Sequence, residues 1–176
     1  MDERILLGIK AFAFDIDGVM TDGGLLAMSD GDLLRTFNAK DCFAVRMARM
    51  HSYPVAVITG GRSESIFRRF TGCCVDERDI YLGSRIKLND FNTFCSRNSL
   101  APEEVMYVGD DLPDIPVIKA CGLGVAPADA IAEVREAADY VSPFNGGKLC
   151  FRNVVEMVMK AQGTWVFDEV VYDRTY

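Results

Sequence analysis

This sequence of 176 residues predicts an α/β fold, a Rossmann-like parallel sheet with helices on both faces, and three observations carry the prediction. Short apolar runs alternate with helical patterns, as in chains that build a parallel sheet through crossover helices. Each run is rich in β-branched or aromatic residues and is bounded by polar residues or glycine, as strands buried on both faces are. Three of the runs end abruptly in acids or a threonine, which gathers polar groups along one edge of the sheet.

The elements follow in order. The first strand is Ala11–Phe14, stopping at Asp15. Residues 24–37 then break the alternation: two apolar runs, 25–28 and 33–37, flank Ser29-Asp30-Gly31-Asp32, and Asp-Gly between apolar runs signals a hairpin. A helix over 41–50 places Phe43, Met47 and Met50 at helical spacing, with Asp41 as its expected N-cap. The second sheet strand, 54–58 (PVAVI), ends in Thr59-Gly60-Gly61, and helix 63–70 follows. Ile80–Leu82 leads to a helix over 86–98, opened by Lys87. Val105–Val108 ends in Gly109-Asp110-Asp111 and leads to a helix over 113–120, with Gly122 placed as a C-cap. Weaker strands at 123–125 and Tyr140–Val141 enclose a helix over 130–138. The last clear helix is 149–162, and the aromatic tail 163–176 could dock on its own domain or on a neighbouring subunit.

Length and composition predict one domain over 1–176, with no repeat or linker. A net charge of −7 argues against a nucleic-acid surface. It also means that a local cation must attract any anionic substrate. No apolar run approaches the ~20 residues that span a bilayer. The opening MDERILLGIK carries acids where a secretory signal has bases, so a cytoplasmic protein with no membrane association is expected. Cys42, Cys73, Cys74, Cys95, Cys121 and Cys150 lack metal-ligand spacing and read as scattered thiols of a reducing compartment. The one histidine, His51, sits near a helix end, where a cation suits the dipole, and no catalytic triad can be assembled around it.

The chemistry lies at the predicted rim: Asp15 and Asp17, Thr59, Lys87, then Asp110, Asp111 and Asp114. Clustered acids repel, and a hard divalent cation is the natural way to stabilise them. Oxygen donors without histidine or thiolate point to Mg2+. Mg2+ with Lys87 supplies the local positive charge that a phosphoryl group requires.

DIDGVMTD (15–22), ITGG (58–61), Lys87 in GSRIK (83–87) and GDDLPD (109–114) resemble the four ordered motifs of the haloacid dehalogenase superfamily, over about residues 11 to 163. A lone DxD is usually a solvated turn, whereas four motifs in order, each at a strand end or helix start, are specific. The resemblance implies that Asp15 is a nucleophile forming an aspartyl-phosphate, and that Asp17 protonates the leaving alkoxide and later deprotonates water. It implies that Thr59, Gly60 and Lys87 hold phosphate oxygens. Asp110 would bind Mg2+ with Asp15 and the backbone carbonyl of Asp17, and Asp111 or Asp114 would serve the ligand shell. A carboxylate at Asp17 favours hydrolysis over storage of the phospho-enzyme.

Separations of 42 residues from Asp17 to Thr59 and 28 from Thr59 to Lys87 leave no room for a cap domain. The chain resembles a capless subfamily, the 3-deoxy-D-manno-octulosonate 8-phosphate phosphatases of lipopolysaccharide sugar synthesis. The resemblance rests on DIDGVMTDGG (15–24), FNAKD (37–41), TGGR (59–62), GDDLPD and GGK (146–148). It implies a homotetramer in which hairpins pack together and neighbouring subunits close over each site. Asn38, Lys40, Arg62 and Lys148 are then expected contacts to a phosphorylated sugar acid, with Gly146–Lys148 reaching a neighbour. Leu149 departs from the pattern, standing where another glycine is expected.

Three alternatives remain at this level. Phosphatases of nonulosonate 9-phosphates share the motifs, and the small neutral Gly61 and Gly72 favour the eight-carbon substrate over them. A non-catalytic relative would have lost Asp15 or Asp17, and both are present. A phospho-accepting receiver domain is shorter and lacks a hairpin after DxD.

Overall fold

In the computed structural model, which describes residues 2–174, the chain runs α1 (Glu3–Gly8), β1 (Ala11–Phe14), β2 (Leu26–Ala27), β3 (Leu33–Leu34), α2 (Ala39–Met50), β4 (Val55–Thr59), α3 (Glu64–Thr71) and β5 (Ile80–Leu82). It continues with α4 (Lys87–Arg97), β6 (Val105–Val108), α5 (Ile115–Ile118), β7 (Leu123–Ala126), α6 (Ala132–Ala137), β8 (Tyr140–Val141), α7 (Cys150–Ala161) and α8 (Glu169–Arg174). Thr175 and Tyr176 of the expected tail lie outside the described residues.

Six strands pair in parallel in the order β5-β4-β1-β6-β7-β8, and β2 and β3 form a separate antiparallel hairpin. β1 is central: Phe12 and Phe14 stand opposite Val55 and Val57 of β4 on one side, and Met106 and Val108 of β6 on the other. After β5 the chain returns to β1 on its opposite edge, so the carboxyl ends of β1 and β6 flank the switch point, where open sheets bind ligands.

Alternation along the strands divides the core. Phe12 and Phe14 enter one layer with Phe70, Val154 and Phe151, under α2, α3 and α7. Ala11 and Ala13 face the other with Phe91, Phe94, Tyr107 and Val117, under α4 and α5. Each strand residue from 11 to 14 and 105 to 108 is buried, which explains why these segments read as continuous apolar runs.

Local differences from the sequence reading have physical causes. Asn38, not Asp41, caps α2, its side chain accepting from the Lys40 N–H at 2.9 Å. Asp41 is fully buried and instead accepts from the N–H groups of Leu149 (3.0 Å) and Arg152 (2.9 Å), capping α7 from another element. The expected helix 113–120 is a 3-10 turn, Leu112–Asp114, followed by the single turn of α5; Pro113 and Pro116 remove N–H donors there. The hairpin strands pair over two residues each rather than four or five, and Leu25, Leu26, Met28 and Leu34 are exposed. The tail docks on its own domain: His51 Nε2 lies 2.8 Å from the Val166 carbonyl, and Phe167 and Tyr172 pack around Phe43 of α2. Among the described residues no helix is long and apolar enough to cross a membrane.

Candidate active site

β1 ends because Asp15 follows Phe14, and the Asp15 N–H still pairs with the Val108 carbonyl at 3.0 Å. The carboxylate is thereby fixed at the sheet edge, only 7% exposed. The chain then folds into a tight turn in which the N–H groups of Val19, Met20 and Thr21 all point to the Ile16 carbonyl. Gly18 adopts φ +88°, and a Cβ there would lie 2.0 Å from Asp110 Oδ2. Glycine is required both by the backbone and by this approach.

Lys87, at the start of α4, joins the motifs. Its ammonium lies 2.8 Å from Asp15 Oδ2 and 2.6 Å from Asp114 Oδ1, and the side chain is buried. Burial works against its charge, but the two carboxylates outweigh that and hold its pKa above the usual lysine value. Asp114 is fully buried and fully engaged. Oδ1 also accepts from the Tyr107 hydroxyl at 2.6 Å, and Oδ2 accepts from the N–H groups of Asp110 (3.0 Å) and Asp111 (3.2 Å). It organises the GDDLPD turn from within.

Asp15 and Asp110 differ from Asp114. Asp15 Oδ1 and Asp110 Oδ1 are buried and find no hydrogen-bond partner among the described residues. Burial raises the Asp15 pKa to about 6, Lys87 opposing and Asp114 adding to the shift. Burial likewise raises Asp110 to about 8, reinforced by the charges of Asp15 and Asp114. One carboxylate oxygen from each of Asp15, Asp110 and Asp114 falls within 4.8 Å of the others. Two orphaned oxygens in an all-oxygen cluster fit a hard divalent cation, which would reverse both shifts. Asp111 is exposed, and its side chain accepts from the Leu112 N–H at 2.8 Å.

Thr59 ends β4, buried, its hydroxyl oxygen accepting from the Gly61 N–H at 3.1 Å and leaving its proton to donate. Asp15, Asp17, Thr59, Gly60, Lys87, Asp110 and Asp111 line one cleft of about 370 Å3, together with Gly61, Ser84, Arg85 and Pro113. The expected sugar contacts lie elsewhere in this chain. Asn38, Lys40 and Lys148 line a second cavity with Asp22, Phe37 and Gly147, where the Asn38 amide donates to the Gly147 carbonyl at 3.1 Å. Gly146 fits only as glycine, since a Cβ would lie 1.9 Å from the Gly18 carbonyl oxygen; the GGK segment thus packs on the turn that carries Gly18. Arg62 is exposed and lies along Gly83. Gly72 caps the far end of α3 and is not part of the cleft.

Two side chains escape the sequence reading. Arg85 stands at the cleft beside Lys87, signalled only by its place in GSRIK. Arg35, at the end of the hairpin, forms a two-pronged ion pair with Asp17: Nε to Oδ1 at 2.7 Å and Nη2 to Oδ2 at 2.8 Å. Its signal is one cation in the apolar stretch Leu33-Leu34-Arg35.

Comparisons with known proteins place the chain in one family. A family model described as haloacid dehalogenase-like hydrolase matches residues 78–147. The 3-deoxy-D-manno-octulosonate 8-phosphate phosphatase KdsC of Escherichia coli K12 is 36% identical over 155 residues, 88% of this chain and 81% of that protein. The cobalt-bound form of the deoxy-D-mannose-octulosonate 8-phosphate phosphatase of Haemophilus influenzae superposes with a TM-score of 0.88 at 33% identity, over 94% of this chain and 96% of that one. The 3-deoxy-D-manno-octulosonate 8-phosphate phosphatase of Moraxella catarrhalis, in complex with magnesium ion, phosphate ion and KDO, superposes with a TM-score of 0.88 at 27% identity, over 93% and 92% of the two chains.

Proposed function

We propose, from the premise that this chain belongs to the 3-deoxy-D-manno-octulosonate 8-phosphate phosphatases among the haloacid dehalogenase-like hydrolases, that it hydrolyses that ester to the free sugar acid and phosphate with Mg2+. The observation that carries this reading is the pair of buried, unpartnered oxygens on Asp15 and Asp110 beside Lys87, at the sheet's switch point.

In this reading Asp15 attacks the phosphorus and forms an aspartyl-phosphate, releasing the sugar alkoxide. Asp17 gives that alkoxide a proton, then takes one from the water that hydrolyses the intermediate. Lys87 fixes Asp15 by one oxygen and offsets charge on the incoming phosphoryl group. Thr59 and the backbone at Gly60 hold phosphate oxygens. Asp15 and Asp110, with the backbone carbonyl of Asp17, would hold Mg2+, whose charge would keep the Asp15 carboxylate ionised and offset charge on the phosphoryl group. Asp114 holds Lys87 and the turn rather than the ion, and Asp111 serves the ligand shell.

The site is completed by other copies of the chain in a homotetramer. The exposed Leu25, Leu26, Met28 and Leu34 of the hairpin support this, because an apolar surface of this kind is stabilised by burial against a partner. So does the location of Asn38, Lys40 and Lys148, outside the cleft of their own chain, where they can serve a neighbour's. With Arg62 they are assigned to the sugar acid. A cytoplasmic location is supported by the buried thiols of Cys42, Cys73, Cys95 and Cys150.

Comparing kcat/KM for octulosonate 8-phosphate and a nonulosonate 9-phosphate tests the substrate. The eight-carbon ester is preferred in this reading; preference for the nine-carbon ester overturns it.

A further inference from the structure

We propose that Arg35 is a positioning residue that holds the carboxylate of Asp17 for proton transfer, so that an ordered hairpin becomes a condition for catalysis. The proposal rests on the role assigned to Asp17 above.

The geometry is that of a fixed fork. Both Asp17 oxygens are bound, at 2.7 and 2.8 Å, by two different nitrogens of one guanidinium, and each keeps a second lone pair to carry the proton that Asp17 gives and takes. Such pairing fixes the plane of a carboxylate as well as its position, which a single lysine contact cannot do. The third nitrogen, Nη1, donates to the Leu33 carbonyl at 2.8 Å, which ties the fork to the hairpin backbone. The Arg35 side chain is 2% exposed, against 26% for Asp17. Space for it is kept by Gly61, where a Cβ would stand 3.0 Å from Arg35 Nη2.

Two features separate positioning from direct contact with substrate. Asp17 lines the catalytic cleft and Arg35 does not; Arg35 lines a cavity under the hairpin with Leu25, Leu26 and Leu34. Every nitrogen of the guanidinium already has an acceptor. Asp17 stands three positions after β1, in the turn closed on the Ile16 carbonyl, and the hairpin constrains its side chain from 18 residues away.

The test is a mutant cycle on the full-length enzyme with Mg2+ and octulosonate 8-phosphate, using Arg35→Met, Asp17→Asn and the double variant. Methionine keeps the packed stem and removes the fork. Arg35→Met is expected to lower kcat about 10- to 100-fold while KM changes less than about threefold. In the Asp17→Asn background it is expected to have no further effect. Arg35→Lys, which retains charge, should recover part of kcat, and it carries the test should Arg35→Met not fold. Equal losses in both backgrounds, or a loss confined to KM, would overturn the proposal. Wild-type kcat in Asp17→Asn would instead overturn the role of Asp17 itself.

Discussion

Asp15 and Asp110 are held in the fold with pKa values of about 6 and about 8, against 3.8 for an ordinary aspartate, because burial penalises their charge. In the absence of metal the folded chain therefore binds protons that the unfolded chain releases. The sign follows from linkage: their stabilising contribution is complete below about pH 4 and is lost as pH rises through about 6 and then about 8. A cation between them removes that dependence. In EDTA the urea midpoint is expected to fall between about pH 5 and pH 8, and Mg2+ should raise it more at the upper end. Asp110→Asn should flatten both trends. A metal-free midpoint of Asp110→Asn that falls as steeply as the wild type's contradicts this account.

At the scale of elements, Asp41 links α2 to α7. It accepts two N–H groups at the start of α7, and Asn38 three residues earlier holds the Gly147 carbonyl. The FNAKD segment therefore fixes the GGK loop, which in turn packs on the Gly18 turn beside Asp110. Asp41→Ala removes a cap and leaves two half-buried donors without their acceptor, at an expected cost of about 1–2 kcal/mol. A urea titration measures it, and a cost below about 0.5 kcal/mol would show that the two bonds contribute little. Leu149, between GGK and α7, occupies φ +82°, where a glycine was expected; the chain keeps the glycine-like backbone with a leucine on it. The strands and the rim were legible because Asp15, Thr59 and Asp110 stand directly after buried apolar runs. What was not legible is non-local: the cap from Asp41 to α7 spans 108 residues, and the Arg35 fork reaches back 18. The hairpin was legible from Asp-Gly between two apolar runs, whereas the shortness of its pairing, two residues a strand with the leucines exposed, was not. α1 escaped notice because six residues are too few to show a helical period.

At the scale of the whole molecule, the chain separates its chemistry from its proposed recognition of the sugar. The cleft holds the acids and Lys87, whereas Lys40 and Lys148 lie in a different cavity, and the hairpin presents leucines outward. Assembly joins the two in the tetramer proposed above. Leu26→Glu, at a residue 64% exposed in one chain, is expected to leave the fold intact and yield smaller species in sedimentation. Its turnover should fall roughly tenfold or more, as expected when groups that orient a substrate are misplaced. A monomer with full activity would show that one chain suffices.

The most direct test of the central claim is phosphate release from octulosonate 8-phosphate by the wild-type enzyme with Mg2+, by the same enzyme in EDTA, and by Asp15→Asn. The account predicts turnover in the first case alone, with loss in both others and no change in the thermal transition of the variant large enough to explain it. Turnover that survives in Asp15→Asn would contradict the nucleophile, and turnover that survives in EDTA would contradict the metal.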